Sequence, residues 1–305
     1  MCVALNDSNS MNTPAIGPVQ GATIISRDYR ACIDAWCEYL GQHIYSEATI
    51  APAGAHHWGY SDLADRRVTW LANGLNEPWL RIVESPNAEL RKPLESYGWH
   101  ALDINVQDID QLYSDLKGSP FNVLHPPEKL PVNDAVRAMP VQGPNNEILY
   151  MMEIESEVPP FNIPFARCFV DRIIVPVVSV PNRIGGLAFY EEFERTHGVK
   201  FDTKIKLVSK ELGLDSETTF AVAAIQLAGQ NMIEIDEIPG LKSATFNNLT
   251  PAAGIGAVSF EVDKLPKDCK KYTITYGPLI GQPVTLTYGA AGELIELIER
   301  RAKAN

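Results

Sequence analysis

The sequence predicts an α+β fold built from four tandem repeats of strand, helix and three further strands (βαβββ). Three observations lead there. Between Ala101 and Val106 the chain alternates, with Leu102, Ile104 and Val106 apolar against Asp103 and Asn105, which is the period of a strand with one buried face. Asp108 then stands where a helix cap belongs, and Ile109, Leu112, Tyr113 and Leu116 follow at helical spacing. The same opening recurs, with starts at Gly21, Ala101, Arg172 and Ala257 that lie roughly 70–85 residues apart.

In chain order, residues 1–18 are polar and rich in Ser and Asn, without the basic start and apolar centre of a secretory leader; they read as a disordered tail. In the first repeat Asp28 takes the capping place, and Cys32, Ala35, Trp36, Tyr39 and Leu40 give the helix its apolar side. RRVTWLANG and EPWLRIVES read as strands around Asn73-Gly74, a hairpin signal. In the second, Gly118 stops the helix, and FNVL, AVRAMPV and EILYMM are strand pieces divided by Pro-rich or Gly-Pro turns. Prolines and acids in EIESEVPPFNIPFAR suit a domain linker, placed over 157–167. The third repeat opens with DRIIVPVVSVPN and ends with QNMIEIDEI. The fourth opens with IGAVSFEVDKL and ends with YGAAGELIELIE, around a middle short enough to predict a stunted helix.

With 305 residues, 45% hydrophobic and 21% charged, the chain has the composition of a soluble globular protein of one or two domains. A net charge of −12 argues against nucleic acid or an anionic membrane as partner. No apolar run approaches the roughly 20 residues of a membrane span. Cys2, Cys32, Cys37, Cys168 and Cys269 are odd in number and form no CxxC pair, so reduced thiols in the cytoplasm are expected.

Two stretches, GWHALDINVQDID from Gly98 and GPNNEILYMME from Gly143, resemble the opening and close of the βαβββ module of the vicinal oxygen chelate superfamily, which holds glyoxalase I, extradiol dioxygenases and bleomycin-resistance proteins. The resemblance implies paired modules whose sheets curl into cups, with helices outside. Two cup-shaped, glyoxalase-like domains are therefore expected, one over 19–156 and one over 168–305. In that superfamily His, Glu or Gln ligands sit at the start of first strands and at matching points of last strands. Here those places are read as Gly21, Ala101, Arg172 and Ala257, with Arg81, Tyr150, Glu234 and Glu296. Gly and Ala have no ligand atom and Arg no lone pair, so no metal and no other cofactor is expected. Glu234, Glu296 and His100 are the places for displaced ligands. His100 faces the cup only if a bulge shifts it.

Strand alternation then supplies candidate site residues in the first cup. Tyr150 and Asp103 are candidate acid–base groups, and His57, in AHHWGY, is a second proton carrier. Adjacent His56 and His57 are read as strand neighbours, so at most one faces the cup. Arg81 and Asn105 are candidate substrate-binding groups, and Trp58, Trp79 and Met152 candidate apolar walls. The competing reading is a Trp-rich core with Arg81 paired to Asp103. Glu234, Asp236, Glu261 and Glu296 are placed in the other cup beside Arg172, where their repulsion suits solvent. The expected activity is that of a metal-independent lyase or isomerase moving a proton on a small oxygenated carbonyl compound, whether aromatic or not. Two alternatives stay open: a metal-dependent extradiol-type dioxygenase or glyoxalase-like isomerase, and a non-catalytic small-molecule binder. The expected partner is a small-molecule substrate, with a homodimer left open.

Overall fold

The computed structural model describes residues 16–194, 197–243 and 250–300. The disordered-tail reading falls on residues 1–15, outside the described residues, while residues 16–18 already belong to the first strand. Module one comprises β1 (Ile16–Ser26), α1 (Tyr29–Leu40), β2 (His43–Thr49), α2 (Pro52–Trp58), β3 (Arg67–Ala72) and β4 (Pro78–Glu84). Module two runs through β5 (Gly98–Val106), α3 (Ile109–Asp115), β6 (Asn122–Val123), β7 (Glu128–Leu130), β8 (Asn133–Gln142) and β9 (Ile148–Ile154). Module three has β10 (Val170–Val180), α4 (Arg183–Glu194), β11 (Val199–Lys204), α5 (Lys206–Glu211), β12 (Thr219–Gln226) and β13 (Met232–Glu237). Module four has β14 (Gly254–Val262), β15 (Tyr272–Thr273), β16 (Pro283–Tyr288) and β17 (Leu294–Glu299); among the described residues no helix joins β14 to β15, and a 3-10 turn at Gly277–Leu279 lies between β15 and β16.

Local chemistry sets these elements as the sequence indicates. Asp28 and Asp108 cap α1 and α3, accepting from the amides of Ala31 at 3.2 Å and Gln111 at 2.9 Å. The Asn73 carboxamide accepts from the amides of Leu75 and Glu77 and closes the β3–β4 turn. AHHWGY is not a strand. It lies in α2, entered at Pro52 and ended by Gly59 at φ 78°, so His56 and His57 are helical neighbours.

Within each module the first strand pairs parallel with the last, as in β1–β4, β5–β9, β10–β13 and β14–β17. The modules then join through their first strands, antiparallel, but not as the pairs one with two and three with four. β1 pairs with β14 and β5 with β10. One eight-stranded sheet therefore unites modules one and four, and one nine-stranded sheet unites modules two and three. This corrects the expected halves of 19–156 and 168–305. It also corrects the reading of 157–167 as a spacer between cups. That segment joins two modules of one sheet, tucks Val158, Phe161 and Ile163 against the sheet's interior cluster, and offers the Pro164 carbonyl to Asn105.

The outer faces of both sheets share one apolar core. Leu102, Ile104 and Val106 lie in it with Ile24, Val258 and Trp36 of α1, as their alternation requires. Gly21 fixes how closely β1 and β4 approach, because a Cβ there would stand 2.1 Å from the Trp79 carbonyl oxygen. Gly21→Ala is expected to cost about 1–3 kcal/mol by forcing that backbone apart, read as a lower urea midpoint at unchanged slope. Among the described residues no helix is long and apolar enough to cross a membrane. Cys32, Cys37, Cys168 and Cys269 are unbridged.

Candidate functional site: two cups of opposite character

Each sheet presents four equivalent interior positions, one on each first strand and one beside it on each last strand. Register identifies them as Thr23 with Arg81 and Ser259 with Glu296 in the first sheet. In the second they are Asp103 with Tyr150 and Val177 with Glu234. The first-strand positions read from sequence, Gly21, Ala101 and Ala257, lie two residues away. Arg172 lies outside the cup altogether, donating to the Val19 and Gln20 carbonyls.

The cup of modules one and four is filled by a closed ion-pair network. Arg81, 1% exposed, donates to both oxygens of Glu296, also 1% exposed, at 3.0 and 3.4 Å. Its Nε donates to Thr23 at 2.9 Å, and Ser259 donates to Glu296 at 2.6 Å. Trp58 and Trp70 cover the guanidinium, with ring centroids 4.6 and 5.3 Å from it. Burial opposes the Arg81 charge, but Glu296 and Tyr276 outweigh it and hold its pKa above the ordinary range. The anticipated ion pair therefore exists with a different partner, Glu296 rather than Asp103. His57 stacks on Tyr272 at 5.2 Å, and burial lowers its pKa. Ile274, Tyr276 and Leu279 complete the packing inside this cup.

The cup of modules two and three holds a cavity of about 190 Å³. Asp103, Tyr150, Glu234 and Asp236 line its polar end, and Leu124, Met152, Val177, Phe201 and Leu207 line its walls. Asp103 and Asp236 are buried, whereas Tyr150 and Glu234 keep some surface toward the cavity. The Tyr150 hydroxyl and Asp236 Oδ1 have no hydrogen-bond partner. Burial raises Asp103 well above the usual carboxylate range, and Glu234 adds to it. Burial, Glu234 and Asp103 do the same to Asp236. Glu234 is raised by burial to about 7, held back by a hydrogen bond with Asp236. Tyr150 is raised well above 10.0 by burial and by the carboxylates around it. Burial and mutual repulsion thus push all three carboxyls toward their protonated forms, beside a phenol that keeps its proton.

The sequence-predicted residues are thus divided. Tyr150, Asp103, Asn105 and Met152 belong to the cup with the cavity, and Asn105 spends its amide on Pro164, leaving Oδ1 unpartnered. Arg81, Trp58 and His57 belong to the filled cup. Trp79 belongs to neither, because it turns outward, stacks edge-on against Trp36 and donates to Gln42 at 2.8 Å. Glu234 and Asp236, assigned to the opposite cup, complete the set around Tyr150. His100 sits where β5 shifts register between Trp99 and Ala101. Buried there with both ring nitrogens unpartnered, it has its pKa lowered by burial to about 4.

Glu234 and the turn carboxyl Glu147, which burial also raises to about 7, make stability depend on pH. A folded pKa above the unfolded 4.5 means that the native state holds protons the unfolded chain releases between pH 4.5 and about 7. Their contribution is full below that window and is lost as pH rises through it. The unfolding free energy from urea curves is expected to fall between pH 5.5 and 8 by on the order of a few kcal/mol, and Glu147→Gln is expected to flatten the slope.

The superfamily's metal does not fit these residues. A guanidinium occupies the centre of one cup, and Val177 takes one of the four positions in the other. Among the described residues no group of three His, Cys, Asp or Glu side chains is placed to hold a metal ion.

No family model and no curated protein matches the chain. Solved structures match over nearly its whole length. Glyoxalase I from Zea mays is 12% identical over 92% of this chain and 92% of its own, with a TM-score of 0.59. A mutant form of that glyoxalase I scores 0.60 at 11% identity, covering 92% of this chain and 93% of its own. A putative dioxygenase from Bacillus subtilis scores 0.61 at 8% identity, covering 95% of this chain and 87% of its own. Parallel first-to-last strand pairing in all four modules, with these likenesses across both sheets, gives the chain the fold of the vicinal oxygen chelate superfamily.

Proposed function

We propose that the cup of modules two and three is the active site of a metal-independent lyase or isomerase that moves a proton on the carbon next to a carbonyl. One observation carries the reading. The fold provides equivalent polar centres in two cups; one is closed by ion pairing, while in the other the Tyr150 hydroxyl and Asp236 Oδ1 stand without partners beside a cavity. Buried groups without partners cost stability, and such costs concentrate where function requires them.

The roles follow from the proton state of each group. Glu234, with a pKa of about 7, is the base that takes the carbon-bound proton and returns it. Tyr150 donates a hydrogen bond to the oxygen that becomes an enolate, and Asp103, whose pKa burial raises, is the second donor in its protonated form. Asp236 is a positioning residue, since its hydrogen bond to Glu234 keeps that carboxylate available as a base. Return of the proton to a different carbon gives an isomerase; loss of a leaving group from the neighbouring carbon gives a lyase.

The test is deuterium uptake beside the carbonyl of cyclohexanone in D₂O with a chelator present, followed by NMR. Uptake above the buffer rate is expected. Binding without uptake favours the non-catalytic alternative, and uptake that a chelator abolishes and one metal restores favours the metal-dependent one.

A further inference from the structure

We infer that the substrate is a monocarboxylic acid whose carboxylate sits between Lys206 and Lys210 at the cavity mouth, while a ring-sized apolar part carrying the carbonyl fills the interior. The inference rests on the proton-transfer reading of the same cup. Size comes from the cavity, about 190 Å³, because a dry apolar cavity of about 150 Å³ accepts benzene. The space therefore suits one six-membered ring with a substituent at each end.

Charge comes from the mouth. The chain carries −12 overall, yet Lys200, Lys204, Lys206 and Lys210 fall within one short segment, and the last three line this cavity. Lys206 and Lys210 are four residues apart on α5, so both project from one face, where like charges oppose each other. An anion between them turns that repulsion into a two-pronged contact. Lys204 already pairs with Glu217, and Lys206 reaches Glu128 on the opposite wall at 2.5 Å. Among the described residues Lys210 has no ion-pair partner. Leu207, between the two lysines, faces the cavity and ties the helix to its interior. A carboxylate bridging Lys206 and Lys210 places the rest of the molecule toward Asp103, Tyr150 and Glu234.

The probes are 4-oxocyclohexane-1-carboxylate and its methyl ester, which differ in charge at the end that meets the lysines. Binding is measured by calorimetry on the whole protein at low and high salt. The acid is expected to bind about tenfold tighter than the ester, with salt weakening the acid alone. Lys206→Met and Lys210→Met are each expected to remove most of that preference and to leave ester binding as it was. Equal binding of acid and ester, parallel losses for both in the lysine variants, or binding of neither would overturn the inference. Deuterium uptake by cyclohexanone, which has no carboxylate, tests the reaction separately. Uptake without acid preference removes only the substrate assignment, and acid preference without uptake removes only the proton-transfer reading.

Discussion

Glu234→Gln is expected to lower deuterium uptake by about 10²–10⁴-fold, the usual contribution of a positioned general base. The amide keeps the shape of the side chain but cannot accept the proton. Stability is not expected to fall, and at pH 8 it is expected to rise, because the change removes a carboxyl that burial pushes up to about 7. Higher stability with lost turnover separates a catalytic role from a structural one. Tyr150→Phe is expected to lower turnover in the same direction by removing one donor to the enolate oxygen. A Glu234→Gln enzyme that exchanges at the wild-type rate would leave the base unassigned.

Arg81→Met is expected to have the largest effect on folding. It leaves Glu296, 1% exposed, without its cation inside a packed cup, and breaking one side of a buried pair typically costs about 3–5 kcal/mol. The further change Glu296→Leu is expected to recover most of that loss, since replacing both charges by apolar groups is often close to neutral. Protein that remains folded should still exchange deuterium, because Arg81 lies in the filled cup. Denaturant curves of the single and double variants check the first point, and the NMR assay checks the second. Loss of exchange in the folded double variant would move the chemistry to the other cup.

Much of the fold was legible because the signals involved are local. Alternation placed Leu102, Ile104 and Val106 in the core and Asp103 in the cup, and the caps at Asp28 and Asp108 stand where expected. Helix α2 was also marked, by Pro52 at its start and Gly59 at its end, but two adjacent histidines drew the reading toward a strand. The pairing of modules was not legible. Each first strand has one edge taken by its own last strand and a second edge free, and all four repeats present a similar local pattern there. What decides β1–β14 and β5–β10 lies in contacts between distant parts of the chain.

The error in the site follows from that one choice. Consecutive pairing put Arg81 with Tyr150 and Glu234 with Glu296, which suggested a mixed cup and an acidic cup. Exchanging partners sends Arg81 to Glu296, 215 residues away in sequence, and cancels both charges. The acids that remain, Asp103, Glu234 and Asp236, then lie without a cation and take up protons instead of repelling one another. Alternation places candidate residues on inner faces, yet which of them meet depends on topology.

The most direct measurement of the central claim is a crystal structure of the protein soaked with 4-oxocyclohexane-1-carboxylate. The ligand is expected in the cup of modules two and three, its ketone oxygen within hydrogen-bond reach of Tyr150 and Asp103 and a carbon beside the ketone facing Glu234. A ligand in the cup of modules one and four, having displaced Trp58 and met Arg81, would contradict it.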